Sequence, residues 1–177
     1  MTSGNTHADD YQRFADWGRD HGQAVRGYLL AMVRRTNLAD DLTQEVFSRA
    51  WQARRRYREQ GSPRSYLLRI ADRLVIDRSR KAGREVNLDE DTWRQIEPAG
   101  RTAEPIDNLV QAEAIGQLTA ALDRLSPAQR RVLLLRYYGQ LSFAEIAEVV
   151  GCPISTALSH SRRGLQTLRK TLVEDAP

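Results

Sequence analysis

The sequence has almost no cysteine. A single thiol, Cys152, in 177 residues excludes an internal disulfide, and the three scattered histidines, His7, His21 and His160, offer no zinc-ligand spacing. No apolar run approaches the roughly 20 residues needed to cross a bilayer. The opening stretch, Met1 to Asp20, is polar and acidic and lacks the basic flank and apolar core of a secretory signal, so a cytoplasmic location is expected. Also missing are a Gly-rich phosphate loop, a metal cluster and a nucleophile set beside a base. Neither enzymatic activity nor a cofactor is therefore expected. Segments of alternating Val, Ile and Thr are absent as well, which leaves an all-α fold.

Charge is abundant but unevenly placed. The net charge is +4. Counting Lys and Arg against Asp and Glu, residues 1–48 carry −2, 49–84 carry +9, 85–107 carry −5 and 108–177 carry +2. A strongly basic block thus precedes an acidic spacer. Such a block fits either a solvated face or a surface that tracks phosphates and releases their counterions.

Helical spacing recurs through the first part of the chain. Val25, Tyr28, Leu29, Met32 and Val33 form one apolar stripe, and Leu42, Val46, Phe47 and Ala50 form another. After the breaker cluster Gly61-Ser62-Pro63, a third stripe follows in Leu67, Ile70, Ala71, Leu74 and Val75. The spacing predicts helices near 10–35, 38–56 and 63–81, grouped in a first domain over 9–82. From 83 to 108 the pattern stops among Pro98, Gly100 and Pro105, which marks a flexible acidic linker.

A second helical domain is expected over 109–174. Leu109, Ile115, Leu118, Leu122 and Leu125 fit one helix face. In Ser126-Pro127-Ala128-Gln129, Ser can cap, Pro suits the first turn and Gln can reach back; that helix should run to Tyr138 and stop at Gly139. Ser142 and Glu145 repeat the capping box for a short helix ending at Gly151. Pro153 enforces a break, and a last helix, capped by Ser155, is expected from about Thr156 to Val173.

Short capped helix, turn and longer helix have the form of a helix-turn-helix, whose second helix enters the DNA major groove. On it, Ile154, Ala157, Ser161, Leu165, Leu168 and Leu172 are expected to face inward. Thr156, Ser159, His160, Arg162 and Arg163 face outward as candidate contacts to bases or phosphates.

Two stretches also resemble a known family. LSPAQRRVLLLRYYGQLSFAEIAEVVGCPISTALSHSRRGLQTLRKTL, Leu125 to Leu172, resembles the fourth, promoter-recognising region of the extracytoplasmic-function sigma factors. Upstream, NLADDLTQEVFSRAWQARRRYREQGSPRSYLLRIADRLVIDRSRK, Asn37 to Lys81, resembles their second region; DLTQEVF and YLLRIADRLVIDRSRK are its more specific parts. The resemblance implies a subunit that binds core RNA polymerase and directs promoter recognition, DNA opening and initiation. It implies that Asp41, Leu42, Gln44, Glu45 and Phe47 dock on the polymerase clamp helices. The basic block would take the single-stranded minus-ten element, with Tyr57 and Tyr66 stacking on an unpaired base and Arg56, Arg58, Arg64, Arg69 and Arg73 meeting phosphates. Tyrosines at this spacing equally fit a core, and that alternative stands. The recognition helix would take duplex DNA at the minus-thirty-five element, and an anti-sigma factor is implied as a further partner.

Departures from the family pattern fall at Tyr66, where Trp is usual, and at Arg73, where Asn is usual. On the recognition helix they fall at Leu158, commonly basic, at His160, commonly Arg, and at Ser161, commonly apolar. They bear on promoter preference. A stand-alone helix-turn-helix regulator, binding duplex DNA without polymerase, is the rival reading, and the Asn37 to Lys81 block argues against it.

Overall fold

The computed structural model describes residues 4–54, 57, 62–82 and 116–174, with the side chains of 4–10, 82 and 174 outside that set. The expected linker at 83–108, with Arg56 and Arg58 of the basic block, lies outside the described residues. Those described form seven helices and no strand. They are α1 (Gly4–Val33), α2 (Thr36–Gln52), α3 (Pro63–Ala82), α4 (helical over 116–123), α5 (Pro127–Tyr137), α6 (Phe143–Val150) and α7 (Ile154–Glu174).

The apolar stripes account for the packing. Val25, Tyr28 and Leu29 of α1, Leu42, Val46 and Ala50 of α2, and Leu67, Ala71, Leu74 and Val75 of α3 are all buried. Met32, Val33, Phe47 and Ile70 pack partly buried against them. Fully burying a side chain of this size stabilises by about 1.5–3 kcal/mol. Between α1 and α2 the chain turns at Arg34, whose φ of 56° is the left-handed conformation that seldom suits a non-glycine residue. α1 begins earlier than the spacing predicts, and α2 ends at Gln52 rather than 56. The apolar pattern reports the buried face of a helix but not how far its solvated ends extend.

In the second half, local chemistry fixes the ends. Ser126 accepts from Gln129 N–H while the Gln129 side chain accepts from Ser126 N–H, and Pro127 opens the helix. The same reciprocal pair joins Ser142 and Glu145. Gly151, at φ 76°, ends α6 in the left-handed region, and the Gly151 and Cys152 N–H groups both donate to Ala147 C=O. One expected cap is corrected: α7 starts at Ile154, because Thr156 and Ala157 N–H already donate to Pro153 C=O, so Ser155 lies inside the first turn.

The two halves share a core. Val132, Leu134, Leu135, Leu141 and Ile146 belong to the same buried cluster as Val25, Leu42 and Leu68.

Candidate nucleic-acid interface

On the long helix α7 the inner face differs from the one predicted. Ala157, Ser161, Gly164 and Thr171 are buried, whereas Ile154, Leu158, Leu165 and Leu172 are exposed. Small residues win because α7 lies close on α5: a Cβ at Gly164 would sit 2.8 Å from Leu133 Cδ1 and 3.3 Å from Gln129 Cβ. The predicted inward placement of Ile154, Leu165 and Leu172 is therefore overturned. Leu165, with Leu158, Phe143 and Arg169, instead borders an open groove of about 430 Å³.

The face opposite the small residues carries the candidate contact residues. Ser159, Arg162 and Arg163 are exposed, and Thr156 and His160 are half-buried beside them. Ser159 and Arg163 are four apart and share a face. Leu158 also points outward, half exposed, next to Ser159.

The α2 candidates divide by burial. Leu42 is core and Phe47 is partly buried, while Asp41, Gln44 and Glu45 are exposed on the other side. Glu45 Oε1 accepts from Arg49 Nε at 2.7 Å, an exposed pair within the helix.

Aromatic residues gather at the foot of α3. Tyr57 and Tyr66 have ring centroids 4.7 Å apart, and Trp17 stands edge-on to Tyr57 at 4.9 Å. Both tyrosines are half-buried, turned toward each other and Trp17, and burial raises the Tyr66 hydroxyl pKa. The basic residues of the same helix turn to α6 and its flanks. Arg64 Nη1 donates to Gln140 Oε1 at 2.7 Å, and Arg69 Nη2 lies 3.3 Å from Glu148 Oε2. Arg73 remains exposed.

Two features escape a sequence reading. Asp72 is buried between α1, α3 and α5, bound by Tyr28 and Arg131. Its signal is a carboxylate within an apolar stripe, flanked by Leu68, Ala71 and Val75. The second is Glu145, which serves Ser62 as well as its own cap. Burial works to raise its pKa, but hydrogen bonds from Ser142 N–H and the Ser62 and Ser142 hydroxyls, with the Arg64 charge, hold the carboxyl below its usual range.

Comparison with known proteins gives the architecture its class. The family model for Sigma-70 region 2 matches residues 19–85, and that for Sigma-70, region 4 matches residues 115–168. The ECF RNA polymerase sigma factor SigK of Mycobacterium tuberculosis is 27% identical over 171 residues, covering 92% of this chain and 87% of SigK. SigX of Bacillus subtilis, another ECF RNA polymerase sigma factor, is 30% identical over 150 residues, covering 84% of this chain and 77% of SigX. Among solved structures, the sigma factor RpoE in complex with the anti-sigma factor NepR from Bartonella quintana shares the fold with a TM-score of 0.75, at 23% identity and covering 93% of this chain and 99% of RpoE. CnrH, in complex with the cytosolic domain of CnrY, gives 0.68 at 21% identity, over 98% of this chain and 93% of CnrH.

These are the paired promoter-directing domains of a sigma-70 protein. The chain belongs to the ECF RNA polymerase sigma factors, and it directs transcription initiation. Its region 2 match covers a part that a stand-alone helix-turn-helix regulator does not need. Among the described residues, no helix is long and apolar enough to cross a membrane.

Proposed function

We propose that residues 9–82 hold core RNA polymerase and the minus-ten strand, and that 109–174 hold the minus-thirty-five duplex. The observation that carries this is the division of α7, with small residues packed on α5 and Ser159, Arg162 and Arg163 turned to solvent opposite them. A helix so held can enter the major groove without moving its own core. Thr156 and His160 flank the reading face. On α2, the exposed Asp41, Gln44 and Glu45 offer acceptors to a basic partner, and Leu42 and Phe47 fix the helix beneath them.

For the minus-ten strand, Arg64, Arg69 and Arg73, with Arg56 and Arg58, supply charge, and Tyr57 and Tyr66 supply ring faces once they part. Strand opening then needs no hydrolysis by this subunit, only tighter binding to the open strand than to the duplex. This role is non-enzymatic and cytoplasmic. An anti-sigma partner is part of the reading, from the likeness to a sigma factor solved with one.

Run-off transcription with purified core polymerase and a promoter selected from a random library tests it. Start-site-specific transcripts that depend on this chain are expected, and duplex binding with no effect on the polymerase would refute it.

A further inference from the structure

The opening turns of α7 hold out no charge. From Ile154 to Ser159 the exposed side chains are Ile154, Ser155, Leu158 and Ser159, with Thr156 half-buried among them. The first arginine, Arg162, comes later, and Arg163 and Arg169 follow it, all exposed. The helix therefore begins with aliphatic and hydroxyl groups and turns basic afterwards. In a helix-turn-helix the opening turns of the second helix are the ones that reach base edges.

Leu158 is the member of this group that packing does not explain. It is 46% exposed, although its neighbours Ala157 and Ser161 are buried. With Gly164, those small residues make the inner face of α7, so a leucine held half out of it gives the fold little. It shares a face with Arg162, four residues on, and adjoins the exposed Ser159, which puts it at the edge of the reading face. Ile154 stands one turn earlier and is also half exposed.

Base edges in the major groove differ in what an aliphatic group can do with them. Guanine offers O6 and N7, adenine N7 and an amino group, and cytosine an amino group; thymine alone offers a methyl group. A leucine laid on guanine or cytosine strips water from polar atoms and returns no hydrogen bond. Laid on thymine, it buries apolar surface on apolar surface. The same side chain thus favours one base and disfavours the rest. Five residues separate Leu158 from Arg163, about 7.5 Å of rise at about 1.5 Å per residue.

We propose that Leu158 is a specificity-determining residue of the recognition helix, reading the C5-methyl group of a thymine about two base-pair steps from the pair that faces Arg163, at about 3.4 Å per step along the groove. The inference rests on the sigma-factor reading above and names the kind of duplex that reading leaves open.

The test starts from promoters selected from a random library by run-off transcription with core polymerase and the full chain. Binding of that polymerase complex is then measured on a selected promoter and on copies in which single thymines of the minus-thirty-five element are replaced by deoxyuridine. The exchange removes the methyl group and keeps every hydrogen-bonding atom. At one position affinity should fall about fourfold, as expected for one buried methyl group. In Leu158→Ala the same exchange should cost nothing, because the methyl group has already lost its partner. Leu158→Lys should shift the selected base at that pair from thymine toward guanine, whose O6 and N7 accept from an ammonium. Binding indifferent to deoxyuridine at every position of the element, or a sensitivity that Leu158→Ala retains, would overturn the assignment. A Leu158→Ala protein that selects the same DNA but loses affinity for core polymerase would also overturn it, and would place the residue in a protein contact. A chain that yields no start-site-specific transcripts would overturn the sigma-factor reading and this inference together, whereas a working promoter indifferent to the methyl group would overturn this inference alone.

Discussion

Ser62 and Glu145 are 83 residues apart in sequence and share a 2.8 Å hydrogen bond, which ties the start of α3 to the first turn of α6. The same Glu145 closes its own capping box through Oε2, at 2.9 Å from Ser142 N and 2.8 Å from Ser142 Oγ. One carboxylate therefore fixes where the helix-turn-helix begins and where it sits against the other half.

That double duty predicts an acid sensitivity. Because the folded pKa of Glu145 is depressed, its contribution is fully present above the unfolded value, near 4.5, and is lost as pH falls through the lower folded one. Melting temperature followed by circular dichroism from neutral to acid pH should fall less steeply in Glu145→Gln than in the unaltered protein. Equal slopes would show that Glu145 adds nothing beyond the general titration of carboxylates. At neutral pH, Ser142→Ala should cost about 0.5–2 kcal/mol through loss of the cap.

Gly139 carries a steric prediction. A Cβ there would stand 2.4 Å from the Leu135 carbonyl oxygen and 2.7 Å from Leu68 Cδ1. The first atom is backbone and cannot swing aside, so Gly139→Ala should destabilise by about 1–3 kcal/mol, as overpacking does. Chemical denaturation gives the number, and a change under about 0.5 kcal/mol, ordinary for a surface site, would contradict the close approach.

Much of this was legible from residue pattern. The stripes of α1, α2 and α3 and the capping boxes at Ser126 and Ser142 are local signals, and the structure bears them out. The inner face of α7 was not, because hydrophobicity favours burying Leu165 and Leu172 whereas close helix approach favours Gly164 and Thr171. Packing distance is a property of two helices, and one helix's sequence does not state it. Asp72 with Arg131 is likewise a pairing over 59 residues, visible only once both ends are placed.

The exposed face of α2 proposed to dock on polymerase gives a prediction that separates docking from folding. Gln44 and Glu45 are exposed beside the buried Val46, so replacing both by Ala removes acceptors without opening a cavity. Helix content should be unchanged apart from the loss of the weak Arg49 pair, which is worth about 0.3–0.5 kcal/mol. Affinity for core polymerase should fall, and unchanged affinity in a titration with core would remove this face from the docking surface.

The recognition helix poses the question of which side chains read bases and which grip the backbone. Arg163 is exposed and four residues from Ser159, on the same face of α7. The buried Gly164 beside it fixes which way the face turns. An exposed guanidinium on this face can meet guanine with two hydrogen bonds, and its loss should cost about 1–3 kcal/mol at one base pair while leaving other positions alone. A phosphate contact behaves otherwise: its loss weakens all sequences alike and reduces the salt slope by about one. Arg163→Ala should show the first behaviour and Arg162→Ala a share of the second, since Arg162 also borders the groove with Leu158 and Leu165. Binding of both variants to a library of promoter variants at two salt concentrations decides it. Uniform weakening across the library for Arg163→Ala would make Arg163 a backbone anchor and leave base reading to Ser159 and the outward Leu158, whose side chain can meet a thymine methyl.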